Sequence, residues 1–163
     1  VAEIRDPKVP GIAAPNAVKA GARVRNSLWP DGAGEGTELP LLVPQVDTDG
    51  NDLGGIRMPD LAVPLGTAAG WVFRPQSMGS PNELVMLRGA WVPLAATKAQ
   101  REATNDPRLS LEERYASKDD FMAKVNAAIE KLIEQRLLLD TDLKPQLDQA
   151  SERWDWIVEQ AGK

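Results

Sequence analysis

Apolar residues recur every three or four positions through the last third of the chain. That spacing places them on one face of an amphipathic helix. The first such stripe, which follows Ser117, consists of Phe121, Val125, Ile129, Leu132 and Ile133. The second consists of Leu143, Leu147, Ala150, Trp154, Ile157 and Ala161. We therefore predict two helices whose apolar faces pack together as an antiparallel hairpin.

Polar residues mark where these helices begin and where the chain turns. Ser110 with Glu113 three residues later fits a capping box, and Ser117 with Asp120 offers a second, weaker start. The polar run at 140–142 separates the two stripes. Pro145 comes just after it, and proline is accepted in a helix only within the first turn.

Upstream, the pattern changes to short apolar runs divided by turn-forming residues. Leu41–Val46 favours a strand, Asp47–Asn51 is dense in residues that accept turn geometry, and Leu53–Met58 would be the returning arm. Pro44 and Pro59 cannot donate to a ladder and so limit both arms to a sheet edge. Gly54 and Gly55 allow a bulge or a close backbone approach in the returning arm. This stretch predicts a short β-hairpin.

Three further apolar pieces precede the helical part. Leu61–Leu65 predicts a short and mostly buried connection, which glycines at 66 and 70 then interrupt. Glu83–Leu87 is compatible with either a helix or a strand. Pro93 makes Ala90–Ala95 a poor central strand, so Trp91 is expected to pack from an edge or loop position.

Proline and glycine divide the chain, because twelve of its 13 prolines and twelve of its 13 glycines lie at or before Pro107. We predict an extended arm over 1–40, a hairpin and loop-rich segment over 41–106, and a helical segment over 107–163. Together they form one domain or part of a larger protein. The predicted fold class is α+β, with an irregular Pro/Gly-rich N-terminal part and a short β-hairpin followed by a C-terminal helical hairpin.

Composition limits the partners. The chain has 163 residues, of which 42% are hydrophobic and 26% charged, and a formal net charge of -5. No basic stripe is present to displace counterions, and no apolar run reaches the roughly 20 residues that a bilayer requires, so neither nucleic acid nor membrane is an expected partner. The compartment, cytoplasmic or exported, stays open. A first residue of Val1 rather than methionine indicates a processed or trimmed product.

Residue content excludes most catalytic sites within this chain. It contains no histidine and no cysteine, so it cannot supply a Ser-His-Asp triad, a Cys-His pair or the usual zinc ligands. Asp47, Asp49 and Asn51 occupy the first, third and fifth positions of a calcium loop. However, Asp52 replaces its invariant glycine and Met58 its bidentate glutamate. We expect no metal and no cofactor.

Two segments carry a resemblance to a known family. They are VPQVDTDGNDLGGIRMPDLAVPLGTAAGWVFRP, from Val43, and GAWVPLAATKAQREATNDPRLSLEERYASKDDF, from Gly89. Their order resembles the C-terminal tail of bacterial alpha/beta hydrolase domain-containing proteins, over roughly Leu41 to Trp154. The resemblance implies a nucleophilic serine and a catalytic histidine upstream of the tail, and neither is present in this chain.

The resemblance also implies a role for the tail, which is to cover the hydrolase sheet and to line the mouth of its substrate site. Thr67, Trp71 and Arg74 lie in the matching GTAAGWVFR segment and are the candidate substrate-lining residues. The implied parent is a serine-type, ester-cleaving hydrolase, and this chain would not be catalytic alone. Its expected partner is the hydrolase core of the same protein, or a second copy through self-association.

Two other interpretations remain open at the level of sequence. The amphipathic helical hairpin is also typical of a self-contained protein-interaction module that binds a partner helix. A small acidic binding domain that uses the aspartate-rich turn is a third possibility. A reading frame upstream that encodes a G-x-S-x-G serine and a histidine would favour the hydrolase over both.

Overall fold

A computed structural model of the protein describes residues 8–12, 23–24, 38–39, 44–79, 85 and 87–162. The strands are β1 (Arg23–Val24), β2 (Glu38–Leu39), β3 (Gly66–Ala69) and β4 (Ala90–Pro93). The helices are α1 (Pro59–Ala62), α2 (Lys98–Ala103), α3 (Leu111–Arg114), α4 (Lys118–Glu134) and α5 (Leu143–Ala161). The predicted α+β class is confirmed.

The C-terminal helical hairpin is formed by α4 and α5, as the spacing of apolar residues predicts. Ser117 caps α4, because its hydroxyl accepts a hydrogen bond from the amide of Asp120 at 3.1 Å. Lys118 at the start of α4 contacts Asp155 near the end of α5, with 2.7 Å from Nζ to the carboxylate, so the two helices run antiparallel. Pro145 lies in the first turn of α5, where it was expected.

The core is built on the inner faces of these two helices. Phe121, Val125 and Ile129 of α4 are each at most 2% exposed. Tyr115 and Trp154 close one end of the core, since the ring of Trp154 stacks on Phe121 at 5.1 Å and lies edge-on to Tyr115 at 5.8 Å. Such aromatic pairs contribute about 0.5–1.5 kcal/mol beyond the area that they bury. Leu65, Leu94 and Leu111 complete the core from upstream.

A two-stranded antiparallel sheet, β3–β4, covers the core from the upstream side. Thr67 pairs with Val92, and Gly66 pairs with Pro93 at the end of β4. A sheet of two strands has only edges, so Pro93 is tolerated there, as expected. Strand β3 was not predicted, because its sequence GTAA contains one β-branched residue, Thr67, and no aromatic residue, beside glycine and alanines that disfavour strands. Gly89 allows the backbone of β3 to approach closely, because a Cβ at position 89 would lie 2.4 Å from the carbonyl oxygen of Ala69.

The predicted hairpin around Asp47–Asn51 is a tight turn with a single bridge, between Val46 and Asp52. The amide of Asp47 donates to the carbonyl of Asn51 at 2.8 Å, and Gly50 adopts a φ of 81°. The returning arm is shorter than predicted. Gly54 and Gly55 bend the chain away instead of forming a bulge, and Pro59 begins α1 at its first position.

Helix α2 was not predicted, although its sequence contains the signal. Thr97 and Gln100 form a complete capping box, with each side chain bound to the backbone amide of the other residue. Helix α3 begins with the predicted box of Ser110 and Glu113. Both boxes satisfy amides that a helix leaves unpaired at its start. The box at Thr97 lies before Pro107, in the segment that was predicted to be loop-rich.

Several predictions fall outside the described residues. They concern most of the piece at 83–87 and most of the arm over 1–40. Within that arm the structure describes residues 8–12 and the antiparallel pair of β1 and β2. Among the described residues, none of the helices is both long enough and apolar enough to cross a bilayer.

We expect Arg136→Gly to stabilise the protein. Helix α4 ends in a Schellman motif, in which the amide of Leu137 bonds the carbonyl of Leu132 at 2.9 Å and Arg136 adopts a φ of 60°. A residue with a Cβ pays about 1–2 kcal/mol for this left-handed conformation, and glycine does not. The free energy of unfolding, measured in urea, should therefore rise by about 1 kcal/mol.

The matched control is Gln135→Gly, one residue earlier, where φ is -77°. Glycine gains nothing in that right-handed conformation and adds flexibility to the unfolded chain, so this variant should lose stability. If both variants shifted stability in the same direction, backbone strain at Arg136 would not be the cause.

Candidate functional site

A buried polar network joins the aspartate-rich turn, the sheet and the start of the helical part. It begins where α2 ends. Asn105 adopts a φ of 53°, which lets the amide of Asp106 bond back to the carbonyl of Arg101 at 3.0 Å. The carboxylate of Asp106 then accepts the amide of Arg108 at 2.9 Å. This local turn directs the side chain of Arg108 into the protein.

Arg108 is the centre of the network, and its side chain is only 1% exposed. Its Nε and Nη2 donate to the Asp106 carboxylate at 3.0 and 2.6 Å. Its Nη1 donates to the hydroxyl of Thr67 at 2.8 Å and to the carbonyl of Val92 at 2.9 Å, and Nη2 also donates to the carbonyl of Pro93 at 3.1 Å. All five N–H groups of the guanidinium thus have acceptors.

The aspartate-rich turn is fixed to β3 by the same network. The hydroxyl of Thr67 donates to the carbonyl of Asp49, whose carboxylate is paired with Arg114. Asn51 is fully buried and uses both ends of its amide: Nδ2 donates to the carbonyl of Gly66 at 3.1 Å, and Oδ1 accepts the amide of Ala68 at 2.9 Å. The turn is therefore a structural clamp on the sheet.

These bonds also occupy the side chains that resembled a calcium loop. Asp47 accepts the amides of Asp49 and Asn51 on one carboxylate oxygen and binds Arg57 at 2.7 Å with the other. Across the residues that the structure describes, no cluster of three or more carboxylates is arranged to hold a metal ion.

Two carboxyl groups of this region are held in the charged form. Burial acts to raise the pKa of Asp106, but the hydrogen bonds and charge of Arg108 outweigh it and keep the pKa below its ordinary value. Glu113 accepts bonds from the amide and hydroxyl of Ser110 and from Arg101, which lower its pKa to about 2. Both groups therefore stabilise the fold as anions.

A second feature is a small groove between α1, β4, α4 and α5 that is partly open to solvent. Its floor is apolar and includes Leu65, Phe121 and Val125. Trp91 forms one wall, and the edge of the groove is polar. That edge consists of Asp60, Gln146, Gln149 and Arg153.

The candidate residues Thr67, Trp71 and Arg74 are absent from the lining of this groove. Thr67 is 1% exposed and both donates and accepts within the Arg108 network. Trp71 is half-buried and Arg74 is exposed, beyond the end of β3. Their role in lining a substrate site stays a prediction.

Sequence reasoning missed the groove, because its parts lie on four elements. Trp91 was correctly placed at an edge, and it is 37% exposed. Gln146, Gln149 and Arg153 follow one another at helical spacing beside the apolar stripe of α5, and this spacing was the available signal. On sequence alone such residues look like part of a solvated helix face.

Neither feature forms a catalytic centre within the described residues. The hydroxyl of Ser110 donates to Glu113 at 2.8 Å, but Ser110 is 0% exposed and serves as a helix cap. The hydroxyl of Tyr115 donates to the carbonyl of Pro64 at 2.8 Å, and burial raises the pKa of this phenol to about 12. A phenol with such a pKa stays protonated at neutral pH and is a poor base.

The chain is similar to a family of known proteins. The model of a family described as "Alpha/beta hydrolase domain" matches residues 4–147. The match spans most of the chain and includes the turn, the sheet, α2, α3, α4 and the start of α5. No curated protein and no solved structure matches the chain.

We expect Arg108→Met to lower the free energy of unfolding by about 3–5 kcal/mol, because it leaves the buried carboxylate of Asp106 without a counter-ion. Urea unfolding followed by circular dichroism measures this loss. The control is Lys144→Met, which removes an exposed ion pair with Asp148 and should cost less than about 1 kcal/mol. Equal losses in the two variants would contradict a central role for Arg108.

We expect stability to fall in acid, partly through Glu113. Since the folded state holds the pKa of Glu113 near 2, below its ordinary 4.5, the stabilisation is complete above about pH 4.5 and is lost as the pH falls toward 2. Glu113→Gln should show a smaller fall between pH 6 and pH 3 than the wild type. Glu152→Gln, on the exposed side of α5, should keep the wild-type profile. Identical profiles for all three proteins would argue against the effect.

Proposed function

Because the chain belongs to the alpha/beta hydrolase domain family, we propose that it is the C-terminal structural and substrate-mouth segment of a serine-type, ester-cleaving hydrolase. The family match over residues 4–147 carries this proposal. The chain does not act as a catalyst alone in this proposal, since it has no histidine to serve as the base of a triad.

A covering role requires apolar side chains that face outward, and the described residues provide them. Leu53, Ile56 and Met78 are each at least half exposed, and they lie in or next to the segment that resembles the family's tail. Trp91 and Trp156 form a partly exposed pair with ring centroids 6.2 Å apart. Aromatic residues of this kind are enriched at protein interfaces. The proposed partner is the hydrolase core of the same protein, with self-association as the second possibility.

The clamp suits the same role. The turn that carries Asp49 and Asn51 is bound to β3 by buried hydrogen bonds, and β3 leads directly to Trp71 and Arg74. A rigid β3 would fix the position of these two residues at a substrate mouth. We propose Trp71 and Arg74 as lining residues, and we propose that Thr67 supports them by fixing β3.

The alternative function, a module that binds a partner helix with its helical hairpin, receives less support. The apolar faces of α4 and α5 already pack on each other, on Leu65 and on Leu94. Phe121 and Ile129, the centre of the α4 stripe, are at most 1% exposed. A partner helix would have to displace these contacts.

The first test concerns activity. Purified alone, the chain should not hydrolyse p-nitrophenyl acetate above background, whereas the complete product of its reading frame should do so through a G-x-S-x-G serine. Turnover by the isolated chain that survives repurification and depends on one of its own serines would contradict the proposal. So would a complete reading frame with no such serine and no histidine.

The second test concerns the substrate mouth. In the complete protein, Trp71→Ala and Arg74→Ala should each raise KM for a p-nitrophenyl ester several-fold and change kcat less, because they remove binding contacts rather than reacting groups. Leu139→Ala, at a 68% exposed position in the turn between α4 and α5, is the control and should leave both constants unchanged. Unchanged KM in both test variants would remove these residues from the proposed mouth.

A further inference from the structure

The turn at 47–51 contains a reactive bond, because Asp49 is followed by Gly50. In such a pair the amide nitrogen of glycine can attack the side-chain carboxyl carbon of aspartate, since glycine has no Cβ to obstruct the approach. A bond forms between the nitrogen and that carbon, the amide proton and a carboxyl hydroxyl leave as water, and a succinimide ring results. Water then opens the ring at the main-chain carbonyl carbon of the aspartate. The product is isoaspartate, in which the main chain runs through the former side chain.

In the closed clamp, each group that takes part in this reaction is held by a hydrogen bond. The amide of Gly50, which is the nucleophile, donates to the carbonyl of Asp47 at 3.0 Å. The carboxylate of Asp49, which is the electrophile, is paired with Arg114, and the side chain is 7% exposed. The carbonyl of Asp49, at which water would open the ring, accepts the hydroxyl of Thr67. Ring closure therefore requires these bonds to break.

Distant segments supply the partners that hold Asp49, so the protection exists only when the fold is complete. Thr67 is 18 residues from Asp49 in the sequence, and Arg114 is 65 residues from it. Without these two partners, the carboxyl group of Asp49 is free to rotate toward the amide of Gly50. A group that reacts only in an open state is modified at a rate that follows the population of that state.

The product does not fit the closed clamp. Isoaspartate adds one atom to the main chain between Asp47 and Asn51, whose amide and carbonyl are 2.8 Å apart in the turn. It also exchanges two groups: the carboxylate that Arg114 binds becomes a peptide carbonyl, and the carbonyl that Thr67 binds becomes a carboxylate. The new charge would lie beside a side chain that is only 1% exposed. A buried charge without its counter-ion is strongly destabilising.

We propose that Asp49–Gly50 is a modification site, at which aspartate converts to isoaspartate when the clamp is open. The conversion requires no enzyme, no cofactor and no reactant except water. A closed chain is protected, whereas a chain that is incompletely made or loosened is converted and can no longer close its clamp. The inference does not depend on the proposed function, because every group that it uses lies within this chain.

The first measurement compares the 163-residue chain in native buffer with the same chain unfolded in urea. Mass spectrometry with electron-transfer fragmentation quantifies isoaspartate in each peptide. In urea, Asp49–Gly50 and the other Asp-Gly pair, Asp31–Gly32, should convert at similar rates. In native buffer, conversion at Asp49 should be slower by at least about tenfold, because the open state is a minor population. Equal rates at Asp49 in the two solvents, or no isoaspartate at Asp49 in urea, would overturn the proposal.

Variants test whether the clamp gives the protection. Arg114→Met removes the partner of the Asp49 carboxylate and should raise conversion in native buffer by at least about tenfold, whereas Arg114→Lys keeps a cation and should raise it less. Ile129→Val loosens the core outside the clamp and should leave the rate unchanged. Equal increases in Arg114→Met and Ile129→Val would refute the role of the clamp. The comparison in urea uses no variant, so it decides the question even if Arg114→Met does not fold.

The effect of the modification on the clamp is measured on wild-type chain that is aged in urea and then refolded, so that it contains both forms. Limited proteolysis should cut the isoaspartate form first within 44–58 and leave α4 and α5 intact. The fraction that stays uncut should therefore be depleted of isoaspartate at position 49. An unchanged proportion of isoaspartate in the uncut fraction would show that the modified turn still closes, and would overturn this part of the proposal.

Discussion

The ion pair between Arg108 and Asp106 is the interaction on which the described structure most depends. A guanidinium that is 1% exposed is tolerated only because each of its N–H groups has an acceptor. Those acceptors belong to the turn after α2, to β3 and to β4. One side chain thereby fixes the position of the sheet relative to the helical part. An apolar residue could fill the same space, but it could not specify which carbonyl groups meet there.

The groove also depends on Arg108, but indirectly. Trp91 belongs to β4, and Arg108 holds the backbone of β4 through the carbonyl oxygens of Val92 and Pro93. The other walls come from α4 and α5, which pack through Phe121, Val125 and Trp154. The width of the groove therefore depends on two sets of contacts. Polar contacts position β4, and apolar contacts position α4 and α5.

The parts that sequence predicted well are those governed by local rules. The α4–α5 hairpin follows from the spacing of Phe121, Val125 and Ile129, and the start of α3 from the capping box at Ser110. Strand β3 was missed because its residues have little strand preference and are held by long-range bonds from Asn51. The Arg108 network was missed because it too consists of bonds between residues that are far apart in the sequence. A capping box at Thr97 was present in the sequence, and applying the same rule there would have found α2.

The clamp also imposes an order on folding during synthesis. The hydroxyl of Thr67 meets Arg108 across 41 residues, and Asp49 meets Arg114 across 65 residues. At roughly 5–20 residues per second, the ribosome needs on the order of 3 to 13 s to make the second of these spans. During that interval the aspartate-rich turn has left the ribosome but lacks its arginine partners. The upstream half of the protein is therefore accessible to chaperones and proteases during this interval. The interval ends only when the segment after α2 has emerged.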